Sequence, residues 1–129
     1  MRVIITGDRE WTEYAPIYKV LLYLHNIHSD AIIVHGACRG VDRIAGEIAT
    51  KLFGADHVEA WPADWNKHRK AAGPIRNRFM YKESVRRGEL DGHKLEYGVA
   101  FHHDLEHSKG TKDMVEVLER AGIPVLRVG

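Results

Sequence analysis

Cysteine, proline and charge of one sign are all scarce in this chain. Among its 129 residues there is one cysteine, Cys38, and there are four prolines. One cysteine cannot build an internal disulfide framework, which points to a reducing compartment. No stretch approaches the roughly 18 apolar residues of a membrane span. The apolar run after Met1-Arg2 is too short for the core of a secretory signal. The expected setting is therefore cytoplasmic, with no membrane partner. The 19 Lys and Arg residues nearly balance 18 Asp and Glu, leaving a net charge of +1. That balance makes nucleic acid a weaker expectation than a small molecule. Neither a Gly-x-Gly-x-x-Gly turn nor a Walker loop occurs, so no NAD or ATP cofactor is indicated. No Gly-x-Ser-x-Gly elbow of a serine hydrolase occurs either. His102, His103 and His107 lie near Asp104 and Glu106, but no cysteine cluster joins them, and no metal is expected.

What the chain does have is alternation. Arg2 to Thr6 is a β-branched run closed by Gly7, and it predicts a buried strand. Pro16 suits a helix start, and Ile17, Val20, Leu21, Leu24 and Ile27 follow at helical spacing. The same logic gives strands over 31–35, 57–61, 97–101 and 124–128. Helices are predicted from Val41 to a stop at Gly54, from Pro74, and from Thr111 to Gly122. Ile75, Phe79 and Met80 are expected to face the core, and the polar stretch 86–96 reads as a surface connection. Strict β-α alternation implies one α/β domain over residues 1–129. Its Rossmann-like parallel sheet of five strands, in order 3-2-1-4-5, would have helices on both faces.

Ligands of such sheets bind beyond the carboxyl ends of the strands, and the unusual residues of this chain all fall there. The first strand is followed by Gly7, Asp8, Arg9 and Trp11. The second is followed by His35-Gly36-Ala37-Cys38-Arg39-Gly40-Val41-Asp42. Glycines at such a turn let backbone N–H groups approach a phosphate, helped by the partial positive charge of the helix start. After the third strand come Asp64 and Trp65, then Gly73-Pro74-Ile75-Arg76-Asn77-Arg78. Lys67, Arg69, Lys70, Arg76 and Arg78 place five positive charges in twelve residues without an acid. Cations crowd a helix start unfavourably unless an anion sits among them. The fourth strand leads to Gly110-Thr111 and Asp113, where the helix start repeats the phosphate logic. Asp8, Asp42, Asp64 and Asp113 are candidate ribose binders or acid–base groups, and Trp11, Trp61 and Trp65 are candidate stacking surfaces for a base.

In their order and spacing, these four motifs resemble the YspA/YpsA-related SLOG family over nearly the whole chain. The resemblance implies a Rossmann-like fold of the SMF/DprA–LOG superfamily. It implies a ligand site lined by Gly7, Arg9, Gly36, Arg39, Gly40, Asp42, Gly73, Arg76, Asn77, Gly110 and Thr111. LOG phosphoribohydrolases carry a glutamate three residues after Gly-Thr, where this chain has Met114, with Asp113 one residue earlier. Two functions follow. One is a module that binds a nucleotide or nucleotide-derived ligand as sensor or sequestering agent. The other is a phosphoribohydrolase in which Asp113 or Asp42 would assist N-glycosidic cleavage. Single-stranded nucleic acid on Lys67–Arg78 is a third reading, and a homo-oligomer is left open.

Overall fold

A computed structural model describes residues 1–129. Its strands are β1 (Arg2–Gly7), β2 (Ile32–His35), β3 (Val58–Ala60), β4 (Leu95–Phe101) and β5 (Val125–Val128). Its helices are α1 (Tyr14–Ile27), α2 (Val41–Phe53), α3 (Trp65–His68), α4 (Ala72–Asp91) and α5 (Gly110–Arg120). All strand pairs are parallel, in the expected order β3-β2-β1-β4-β5. Side chains alternate across a pleated strand. Val3, Ile5, Ile33, Val99 and Phe101 therefore pack against Ile17 and Leu21 of α1 and Ala45 and Ile48 of α2. Ile4, Ile32 and Val34 point the other way, onto Met80 of α4 and Met114 and Leu118 of α5. No helix is long and apolar enough to cross a membrane.

The structure corrects the reading of residues 72–96. Helix α4 starts at Ala72, with Pro74 inside its first turn, and continues to Asp91. The stretch from Arg86 to Asp91 is thus helix rather than a surface connection. Its buried stripe is Gly73, Asn77, Met80, Ser84 and Gly88, at helical spacing but almost without apolar residues. Gly88 is no breaker here. A Cβ there would stand 2.9 Å from the carbonyl oxygen of His93 and 2.9 Å from Cα of Lys94, so glycine lets the helix pass close to the entry of β4. Ile75 and Phe79, expected in the core, are 42% and 53% exposed.

The amino ends of the strands are tied by charge. Arg2 is buried, and its guanidinium donates to Glu59 at 2.9 and 3.1 Å and to Asp91 at 2.9 and 2.6 Å. Arg87 adds a second bond to Glu59 at 3.0 Å while lying over the Trp61 ring. The hydrogen bond from Arg2 pulls the Asp91 carboxyl down to about 2. Burial alone would raise the Glu59 carboxyl, but bonds from Arg2 and Arg87 bring it below its ordinary value. A buried arginine persists only with this degree of pairing.

Candidate functional site

The carboxyl ends of β1, β2 and β4 open into a cleft of about 590 Å³. The end of β1 and the loop after it supply Gly7, Asp8, Arg9 and Glu10. The loop after β2 and the start of α2 supply Cys38 and Asp42. The segment around α3 and the start of α4 supplies Trp65, Lys70, Gly73, Pro74, Arg76 and Asn77. The end of β4 and the start of α5 supply His102, Ser108, Lys109, Gly110 and Thr111. The first turns of α2, α4 and α5 therefore converge on one hollow, each bringing the partial positive charge of a helix start.

The start of α5 is the corner most open to an anion. Ser108 accepts a hydrogen bond from Lys112 N–H at 2.9 Å, and Asp113 N–H closes onto Lys109 at 3.1 Å. The N–H groups of Gly110 and Thr111 precede the first helical bond and stay free. Thr111 is only 5% exposed, and its hydroxyl has no partner. Lys70 and Lys109 flank the cleft without a carboxylate bonded to either.

The corner after β2 works differently from the phosphate turn expected there. Its N–H groups are already taken. Asp42 Oδ2 accepts from Gly36 N–H at 3.0 Å and Cys38 N–H at 3.2 Å, and His35 Nδ1 accepts from Ala37 N–H at 3.0 Å. The turn is set by left-handed backbone at Ala37 (φ 57°) and Gly40 (φ 76°). A carboxylate thus fills the nest that a phosphate would occupy. Asp42 is 6% exposed, and its Oδ1 has no hydrogen-bond partner. Burial pushes its carboxyl up to about 6, against the N–H groups of Cys38 and Gly36 and the charges of Arg76 and Arg9. Burial and the charge of Arg76 lower the pKa of His35 and keep it neutral.

Arg76 lies beneath the cleft and braces it. Its guanidinium donates to the carbonyls of Gly36 and Trp61 and to Asn77 Oδ1 at 2.9 Å. Gly36 admits it: a Cβ there would stand 2.6 Å from the guanidinium carbon. Arg76 therefore joins the loop after β2 to α4.

Several expected site residues stand elsewhere. Trp11 is 5% exposed, stacked on His103 at 4.4 Å and edge-on to Phe101, so no base can reach its face. Asp64 caps α3 by accepting from Lys67 N–H at 3.0 Å, outside the cleft. Arg78 and Asp113 neutralise each other at 3.1 Å, and Asn77 donates to Asp113 at 3.0 Å, which clamps α4 to α5. Asp113 does not reach the cleft. Arg39 reaches out to Glu10 and lines a second, shallower groove between α2 and β3 with His35, Arg43 and Lys51. Gly36 and Gly40 shape the turn without facing the cleft. Trp61 packs edge-on against Phe79. His103 pairs with Glu13 and His107 with Asp104, and no group of three such side chains could hold a metal ion. Lys70 of the basic stretch lines the cleft, and so do His102, Ser108 and Lys109, which the sequence reading did not single out as ligand-binding residues. Trp65 is the half-exposed aromatic at the cleft, with Arg9 5.0 Å from its ring centre.

A doubly wound parallel sheet with its polar crevice at the strand ends defines the class as Rossmann-like α/β. Residues 1–68 match the model of the YspA, cpYpsA-related SLOG family. The chain is also 35% identical over 133 residues to the Gene 61 protein of Mycobacterium phage D29, covering 99% of this chain and 96% of that one. The chain belongs to the YspA, cpYpsA-related SLOG family.

Proposed function

We propose that the protein binds a nucleotide or nucleotide-derived phosphorylated ligand in this cleft, as a sensor or sequestering module. One observation carries the reading: the free N–H groups and unpaired hydroxyl at the start of α5 share a cleft with Lys70, Lys109 and the half-exposed Trp65, over whose ring Arg9 lies. A phosphate fits the α5 start, where dipole, N–H groups and lysines all favour an anion. A base fits Trp65, since stacking on an aromatic accepts any base. The cleft volume lies in the usual range for small-ligand sites, about 300–1,000 Å³.

Binding is favoured over N-glycosidic cleavage because Asp113, one of two candidate acid–base groups, is held by Arg78 and Asn77 away from the cleft. Family membership supports a nucleotide-related role in general terms. The test is a thermal-shift and calorimetric panel of nucleoside mono- and diphosphates. Stabilisation of about 2.7 kcal/mol is expected at 100 times the dissociation constant. Thr111→Val and Lys109→Ala should each weaken binding about tenfold. A panel without any shift overturns the reading, and release of free base from a monophosphate would replace it with the hydrolase.

A further inference from the structure

The Asp42 carboxylate is oriented through only one of its oxygens. Oδ2 is saturated by Gly36 N–H and Cys38 N–H, whereas Oδ1 lies buried without a donor. Leaving a buried polar atom unpaired is costly, and more so for a charged group. No neighbour donates to it: Arg76 is spent on the carbonyls of Gly36 and Trp61, on Asn77 and on Cys38 Sγ, Ala37 N–H is spent on His35, and Arg76 and Arg9 act on the carboxylate through their charge alone. The residue forms part of the cleft, so the missing donor is one a ligand can bring.

The chemistry of that donor follows from the position. A carboxylate repels phosphate, so the phosphate belongs at the α5 start. The half-exposed Trp65 takes the base towards the mouth. Asp42 and Thr111 are both deep in the cleft, at 6% and 5% exposure. The part of a nucleotide next to its phosphate is the sugar, whose only donors are hydroxyls. Building on the nucleotide reading, we infer that Asp42 Oδ1 accepts a hydrogen bond from the 2′-hydroxyl of a ribose, so that the cleft selects ribonucleotides over 2′-deoxyribonucleotides. Sites that provide a buried polar partner discriminate strongly against an analogue lacking the group.

The experiment is calorimetry at pH 7.5 with the four ribonucleoside 5′-monophosphates and their 2′-deoxy counterparts, on the native chain and on Asp42→Asn. Asparagine keeps an oxygen for Gly36 and Cys38 N–H but turns the free acceptor into a donor. On the native chain the best-binding ribonucleotide should exceed its 2′-deoxy form by roughly 10- to 100-fold, the range of a hydrogen bond to a charged group. On Asp42→Asn that ratio should fall to near one, through weaker ribonucleotide binding alone. Equal affinities on the native chain overturn the inference and leave nucleotide binding intact. A ratio that persists in Asp42→Asn assigns the discrimination to another residue and also overturns it. Absence of binding by either series overturns the nucleotide reading and this inference together. Should Asp42→Asn fail to fold, Asp42→Ser takes its place, with a ratio near one expected and a persisting ratio overturning the inference.

Discussion

At neutral pH the Asp42 carboxylate occupies a place that favours its protonated form, because burial raises its pKa from 3.8 to about 6. The folded chain holds this proton more tightly than the unfolded one. Stability is therefore lost as pH rises from about 4 through about 6. His35, whose pKa burial lowers, contributes in the opposite sense near its ordinary value of 6.5, so the useful quantity is a difference between variants. Relative to the native chain, Asp42→Asn should gain stability as pH rises from about 4 through about 6. The difference should level off below about pH 4, as read by urea unfolding across pH. Gly36 offers a second residue-scale test. Gly36→Ala drives a methyl into the Arg76 guanidinium and against Asp42 Oδ2. It should cost about 1–3 kcal/mol and weaken nucleotide binding, as measured by melting and calorimetry. The sequence alone made Asp42 a candidate, but not that its carboxylate would fill the nest of the turn. That depends on which donors the folded backbone leaves free. Trp11 and Trp65 teach the same lesson: both follow a strand end, and only packing shows that His103 and Phe101 bury one while the other stays half-exposed under the Arg9 guanidinium.

Among the elements, α4 was the hardest to read, for a physical reason. Its inward face is Gly73, Asn77, Met80, Ser84 and Gly88. Helical periodicity is visible only when the buried stripe is apolar, and this one, Met80 apart, is made of small and polar side chains. The strands and the starts of α2 and α5 were legible because β-branched runs and glycine stops mark them directly. Helix α4 also carries the clamp to α5 through Asn77, Arg78 and Asp113. Asp113→Ala should cost about 1–2 kcal/mol. It should also speed amide exchange at Lys112 and at position 113, whose N–H groups bond Ser108 and Lys109, because the first turn of α5 then keeps only the Asn77 bond to the Gly110 carbonyl. Unchanged exchange there would separate the clamp from the anion corner.

Across the whole molecule, the ionic cluster and the cleft occupy opposite ends of the sheet. Arg2 and Gly7 lie roughly 17 Å apart along β1. Stability contributed by the depressed Asp91 carboxyl is present above its unfolded value of 3.8 and lost as pH falls through about 2. Arg2→Met should flatten that acid limb and cost about 3 kcal/mol, since it leaves two carboxylates facing each other. Ligand affinity should stay as it is, and combined with Asp42→Asn the two stability changes should add to within about 0.5 kcal/mol. Failure of additivity in denaturant melts would show that the two ends communicate. With that independence, the Arg2 cluster acts as a keel. Residues around the crevice can then be altered while the hull beneath goes on assembling in the same way.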